Sequence, residues 1–185
     1  MGISRNNGTH EIEIGKFYRN NGTTAIQIGK MYRSNGTTEN LIYSAETEYF
    51  NGKEIVDWST YNSNGSTASV DTTLKSYITY DYHIASLWTT EKQDITNIKT
   101  LIFTVSKCQV KNCQFFLGIS ENKESSLNCL QPYQFTKYVS VTSAGTYSVD
   151  VSGYTGSYYI VVAGTSGGEN GNYGNTCEVS KVIGE

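Results

Sequence analysis

The chain has 185 residues, a formal net charge of −3 and only 17% charged side chains, against about 25% in an ordinary globular domain. This balance excludes the clustered positive charge that displaces counterions from nucleic-acid phosphate or docks on an anionic membrane, and no run approaches the roughly 18 apolar residues of a membrane helix. The opening MGISRNNGTH lacks the apolar stretch of a secretory signal and Asn6 breaks the N-myristoylation pattern, so the expectation is a protein made in a cytoplasm, with neither nucleic acid nor membrane as partner.

One Pro, 18 Gly and 15 Tyr, with abundant Ser, Thr and Asn, describe a β protein. Thr, Tyr, Ile and Val suit a pleated, half-buried surface, and Asn with Gly supplies the positive φ of tight turns. No segment sustains the i, i+3, i+4, i+7 apolar spacing of a helix.

The first element is an internal repeat of 14 residues. Arg5-Asn6-Asn7-Gly8-Thr9 recurs as Arg19-Asn20-Asn21-Gly22-Thr23 and Arg33-Ser34-Asn35-Gly36-Thr37, and Ile12-Glu13-Ile14-Gly15-Lys16-Phe17-Tyr18 recurs as Ile26-Gln27-Ile28-Gly29-Lys30-Met31-Tyr32. Asn-Gly favours a two-residue hairpin turn, Ile-x-Ile puts both isoleucines on one face, and Gly15 and Gly29 fit bulges. Each repeat is expected to hold one strand of about eight residues and one turn. So few apolar side chains cannot offset the entropy of ordering the chain. The repeats therefore either wrap with sister copies into a thin trimeric stalk, the favoured reading, or add strands to the edge of the next domain. The Asn-Gly-Thr triplets also match the N-glycosylation acceptor, but turn chemistry accounts for them.

Residues 1–46 thus form the repeat region and 47–73 a transition, with a hairpin at Asn51-Gly52 and a boundary in the polar stretch Tyr61–Thr67. Residues 74–185 carry short strands separated by turn signals. The expected strands are Tyr77–Trp88, Thr100–Ser106, Gln114–Ser120, Lys137–Thr142, Thr146–Val151, Ser157–Gly164 and Cys177–Ile183. Leu101, Phe103 and Val105 alternate with Ile102, Thr104 and Ser106, whereas Tyr158–Ala163 is apolar on both faces and suits a central strand. This is the pattern of an antiparallel β-sandwich, jelly-roll-like.

The repeats, the closing string Leu41-Ile42-Tyr43-Ser44-Ala45-Glu46, and the runs Gly145–Gly153 and Gly156–Val162 resemble tail-fibre or baseplate tip proteins of phages and prophages of Gram-positive gut bacteria. The resemblance implies a virion or phage-tail-like particle, a homotrimer, attachment to other tail or baseplate proteins through the N-terminal region, and a distal jelly roll that binds host-surface carbohydrate. A structural spacer, decoration or assembly role is the alternative. Such proteins conserve no catalytic residues, so none carries over.

The chemistry-bearing residues favour binding over catalysis. Gly164-Thr165-Ser166-Gly167-Gly168 fits G-x-S-x-G, but no helix or later His follows, as a nucleophile elbow requires. Glu121, Glu124, Asp150 and Glu169 are carboxylates that nothing in the sequence pairs. His10 and His83 have no ligand spacing, and His83 fits a structural role inside a strand. Cys108, Cys113, Cys129 and Cys177 match no zinc pattern. They are packing thiols, or form one or two disulfides, with Cys108 and Cys113 placed for a hairpin bridge, or hold a metal, the least favoured of the three. The loop Glu169–Asn175 offers too few carboxylates for calcium. No cofactor and no metal is expected, and the chain is not an enzyme. Sugar recognition needs flat rings beside amide and carboxylate groups, for which Trp58, Trp88, Tyr133, Tyr154 and Tyr173 are available. The chosen ligand-binding residues are Trp88, Tyr154, Tyr173 and Asn172.

Overall fold

The computed structural model describes residues 3–6, 11–14, 18–20, 25–27, 30–34, 39–44, 46–63, 65–79, 84–111, 113–122, 135–166 and 174–185, with side chains from residue 46 onward except at Ser166. The described elements are all β. They fall into two compact units, Met1–Thr47 and Glu48–Gly184.

In the first unit each repeat folds as a hairpin. β1 (Ile3–Asn6) pairs with β2 (Glu11–Ile14), β3 (Tyr18–Asn20) with β4 (Ala25–Gln27), and β5 (Lys30–Ser34) with β6 (Glu39–Ser44). The 14-residue period therefore holds two short strands, not the single longer strand expected. The register Asn6↔Glu11, Asn20↔Ala25 and Ser34↔Glu39 places each Asn-Gly pair within a four-residue connection, not a two-residue one. Gly15 and Gly29 lie outside the described residues, and a register shift occurs instead between Met31 and Tyr32. Each hairpin is its own two-stranded sheet.

The second unit is a sandwich of two antiparallel sheets. The first sheet has the order β16 (Gly145–Asp150), β13 (Thr100–Gln109), β18 (Asn175–Gly184), β10 (Leu74–Ile78) and β9 (Thr67–Val70), with β7 (Thr47–Phe50) also paired to β18. The second runs β15 (Lys137–Val141), β14 (Cys113–Ser120), β17 (Ser157–Ser166), β11 (Ile84–Thr89) and β8 (Trp58–Asn62), with β12 (Gln93–Asp94) on β17. From β10 to β18 the chain changes sheet at every step except β14 to β15, β12 aside. The order β16-β13-β18-β10 opposite β15-β14-β17-β11 is that of a jelly roll, two interleaved Greek keys.

The alternation read from sequence decides what faces inward. Leu101, Phe103 and Val105 of β13 are buried, as are Val149 of β16 and Val151 just beyond it. They meet Ala85, Leu87, Phe115, Leu117, Ile160 and Val162 from the second sheet. The Ser76 hydroxyl, fully buried, bridges the layers by donating to the Ala85 carbonyl at 2.7 Å.

Two expectations need correction. The segment 47–73 is not a linker, because β8 pairs with β11 and β9 with β10, so the sandwich begins near Glu48 instead of Leu74. The Asn51-Gly52 turn is present, with Gly52 at φ +82° and Phe50 bridged to Glu54. The single strand expected over Tyr77–Trp88 is two, β10 and β11, one in each sheet.

Candidate functional site

A sandwich sheet normally turns an apolar face to the core and a polar face to water. The first sheet obeys. Lys75 and Lys107 stand opposite Glu178 in neighbouring strands, with Lys107 Nζ 3.6 Å from the Glu178 carboxylate. The second sheet does not. All six residues of β11 are buried, and so are seven of the eight in β14.

Strand register explains how. One outer row reads Tyr61, Ser86, Ala163, Phe116, Ser140 across β8, β11, β17, β14 and β15. The next reads Ser59, Trp88, Val161, Gly118, Tyr138, and Tyr159 lies beyond it opposite Ser120. Ile84, Trp88, Phe116, Tyr159, Val161 and Ala163 form a second apolar cluster with Phe135, and Tyr61 and Tyr138 pack at its flanks, half-buried. Phe116 meets Tyr138 edge-on with centroids 5.3 Å apart, and Phe135 leans on both, at 5.9 Å from Phe116 and 5.6 Å from Tyr138. Gly118 permits this closeness, because a Cβ there would collide with the Lys137 carbonyl oxygen and lie 2.8 Å from Tyr138 Cα.

The face also carries polar groups. Ser86 is fully buried among these rings, and its hydroxyl has no hydrogen-bond partner, an arrangement that costs about 1–3 kcal/mol. At the rim, Lys92 Nζ sits 5.6 Å from the Tyr159 ring centroid, and the Ser59 and Thr90 hydroxyls are 3.0 Å apart. Flat rings with hydroxyl and ammonium groups at their margins can take up a ligand that presents C–H surface and hydroxyls together.

The structure distributes the chosen residues unevenly. Trp88 lies in the middle of this face and is 5% exposed. Tyr154 is elsewhere, packed on the main core, its ring edge-on to Tyr158 at 6.0 Å and its hydroxyl donating to the Thr136 carbonyl at 3.3 Å. Tyr173 and Asn172 lie outside the described residues, as do Tyr133, His10, His83, Glu124, Glu169, Cys129 and most of the 169–175 loop. Trp58 packs in the main core. Tyr61, Phe116, Tyr138 and Tyr159 complete the face, and no local sequence motif marks them. The only available signal was the paired apolar and aromatic residues at successive positions of β11, β14 and β17.

Ser166 of the G-x-S-x-G match is the last residue of β17, paired with Cys113 in the ladder. Asp150 is exposed, and hydrogen bonds from Ser152 hold its carboxyl below the usual range, the opposite of what a general acid at neutral pH needs. Cys108 and Cys113 do not flank a hairpin, since β13 and β14 belong to different sheets. Instead Cys108 stands opposite Cys177, and all three thiols gather at one end of the core. Burial pushes the Cys113 thiol up to about 12. The Cys177 thiol is raised, first by the hydrogen bond it donates to Cys108, which in turn lowers Cys108.

No protein-family model and no curated protein matches the chain. Among solved structures it is similar to a low-affinity xylan-binding module from the gut symbiont Roseburia intestinalis, with a TM-score of 0.44 and 12% identity over 70% of this chain and 95% of that one. It is also similar to a family 11 carbohydrate-binding module of Clostridium thermocellum in complex with a β-1,3-1,4-mixed-linked tetrasaccharide, with a TM-score of 0.46 and 9% identity over 75% and 94% of the two chains. A second structure of a family 11 module, from the cellulosomal cellulase Lic26A-Cel5E of Clostridium thermocellum, gives 0.45 and 10% over the same shares.

Proposed function

We propose that this chain is a non-catalytic carbohydrate-binding protein whose outer aromatic face on the sheet β15-β14-β17-β11-β8 contacts the sugar, and that it works as the tip of a phage tail fibre, baseplate or similar particle. The observation that carries the reading is that this sheet is apolar on both sides, with the unpaired Ser86 hydroxyl at the centre of its outer face. Half-buried rings such as Tyr61 and Tyr138 stack on the C–H faces of a saccharide, and a ligand that displaces Phe135 from the face would give the buried Ser86 hydroxyl a partner. The tail-tip setting rests on the repeats. Isolated two-stranded hairpins are marginal in water, so sister chains in a homotrimer would supply the missing neighbours.

Binding of the full chain to immobilised glycans, cell-wall preparations and whole bacteria tests the proposal, with Tyr61→Ala and Tyr138→Ala alongside. Each substitution should weaken binding at least tenfold with the melting transition retained. A flat response on every glycan and cell type, or binding untouched by both substitutions, refutes the carbohydrate reading. A monomeric mass in solution refutes the fibre part alone.

One observation favours a second reading, a purely structural spacer or assembly protein. Trp88 and Tyr159 are only 5% and 8% exposed, as they would be in a closed accessory core beneath Phe135. In that case Tyr61→Ala alters stability and nothing else.

A further inference from the structure

We propose that Cys108 and Cys177 form a redox-active pair that closes a cross-strand disulfide between β13 and β18. In the ladder, Lys107↔Glu178, Cys108↔Cys177 and Gln109↔Thr176 are consecutive opposed pairs. Directly opposed residues of antiparallel strands have Cα atoms about 4.5–5.5 Å apart, inside the roughly 4.4–6.8 Å that a disulfide accepts.

Side-chain direction agrees with this register. The flanking Lys107 and Glu178 side chains point to solvent and form an ion pair, so the cysteines between pleats point inward, where Cys177 is fully buried in the core and Cys108 packs against it. The third described thiol, Cys113, projects from the opposite sheet, and sheets that pack face to face lie about 10 Å apart. Its backbone is therefore badly placed for the same bond.

Exposure assigns the roles. Cys108 is half-buried and can meet a reagent from water, while Cys177 and Cys113 are buried. The oxidant is a low-molecular-weight disulfide of the glutathione class. Cys108 Sγ, as thiolate, attacks one sulfur of that disulfide, forming a mixed disulfide and expelling the other half as a thiol. Cys177 Sγ then gives up its proton and attacks Cys108 Sγ, and the second half leaves as a thiol. Two protein thiols lose two electrons and two protons, and one small disulfide becomes two thiols. The closed bond ties together the third and fourth strands from the sheet edge formed by β9, in the middle of the first sheet.

Oxidised glutathione is added to the reduced, folded full chain. Remaining thiols are then alkylated in denaturant, and mass and peptide maps are recorded. The expected result is a fall from four alkylated cysteines to two, with the linked peptides carrying Cys108 and Cys177. Cys113→Ala and Cys129→Ala should leave this unchanged, and Cys177→Ala should stop at a glutathione adduct on Cys108. Four alkylated thiols, a bond that recruits Cys113 or Cys129, or an adduct on any cysteine other than Cys108 overturns the proposal. The wild-type map decides even if a variant fails to fold.

Discussion

Replacing Gly164 by alanine tests the packing between the two sheets. Gly164 lies in β17 between Ala85 and Phe115. An added Cβ would stand 2.5 Å and 2.7 Å from Phe115 Cε1 and Cδ1, and 2.6 Å from the Ser76 hydroxyl oxygen. Neither neighbour has room to retreat, because the Phe115 ring is buried in the core and the Ser76 hydroxyl is committed to the Ala85 carbonyl. Forcing a methyl into a close-packed core costs about 1–3 kcal/mol, and separating Ser76 from Ala85 leaves buried polar atoms unpaired, a further ~1–3 kcal/mol. The sandwich should lose about 2–6 kcal/mol in urea unfolding, a fall in melting temperature of roughly 6–24 °C for a domain of this size. In a Phe115→Leu background two of the three close contacts disappear, and the same substitution should cost about 1–2 kcal/mol less. A Gly164→Ala protein within about 0.5 kcal/mol of wild type, or equal costs in both backgrounds, refutes the close packing of β17 against β10 and β14.

Three further outcomes follow from the same geometry. Burial, then the charge of Asp94, pushes the Tyr49 phenol up to about 12, and burial holds the Cys113 thiol near the same value. Above pH 9–10 the unfolded chain releases these protons and the folded chain keeps them, so stability present below pH 9 should be lost as pH rises towards 12; melting in reductant should show this, less steeply in Cys113→Ala. Phe135→Ala removes the ring resting on Phe116 and Tyr138; it should destabilise by about 2–4 kcal/mol and, if sugar binds beneath it, strengthen glycan binding on an array, whereas weaker binding would place the ligand elsewhere. The unit Glu48–Gly184, which has its own core, should fold alone and, on the proposed trimeric arrangement of the full chain, bind glycan surfaces ~10²–10⁴-fold more weakly than the full chain; equal retention of both on a glycan-coated sensor would count against multivalent engagement.

The sandwich was legible where one face of a strand is apolar and its ends carry turn residues. The strands β13, β14, β16, β17 and β18 lie close to their expected limits for that reason. The β10–β11 break was not legible, because apolar and aromatic residues run from Tyr77 through Ile84 to Trp88 without Gly or Pro, and the change of sheet is a tertiary event. The strands β8 and β9 are edge strands with polar, weakly alternating sequences, so 47–73 reads as linker although it pairs. The site was legible in fragments. Trp88 stood out by residue type, but Tyr61, Phe116 and Tyr138 join it only once register sets them on one face. Likewise nothing local links Cys108 to Cys177; their adjacency arises from the Greek-key return of β18 beside β13.

The two parts of the chain have the same deficit. A β surface persists in water only if its apolar side is covered and its edges are paired or protected. Among the described residues, each N-terminal hairpin is a two-stranded sheet with both outer strand edges unpaired. The second sandwich sheet carries buried rings on the side where polar residues belong, covered among the described residues by Phe135 from the chain between β14 and β15. Neither feature helps an isolated monomer. Open edges invite aggregation, and the buried Ser86 hydroxyl is a destabilising choice that alanine would avoid at this position. Both become intelligible if the edges meet sister chains and the aromatic face meets a ligand that displaces Phe135 and returns a hydrogen bond to the buried Ser86. On that argument Ser86→Ala separates the two functional readings: a closed core is stabilised by it or indifferent to it, while a sugar-binding face loses affinity.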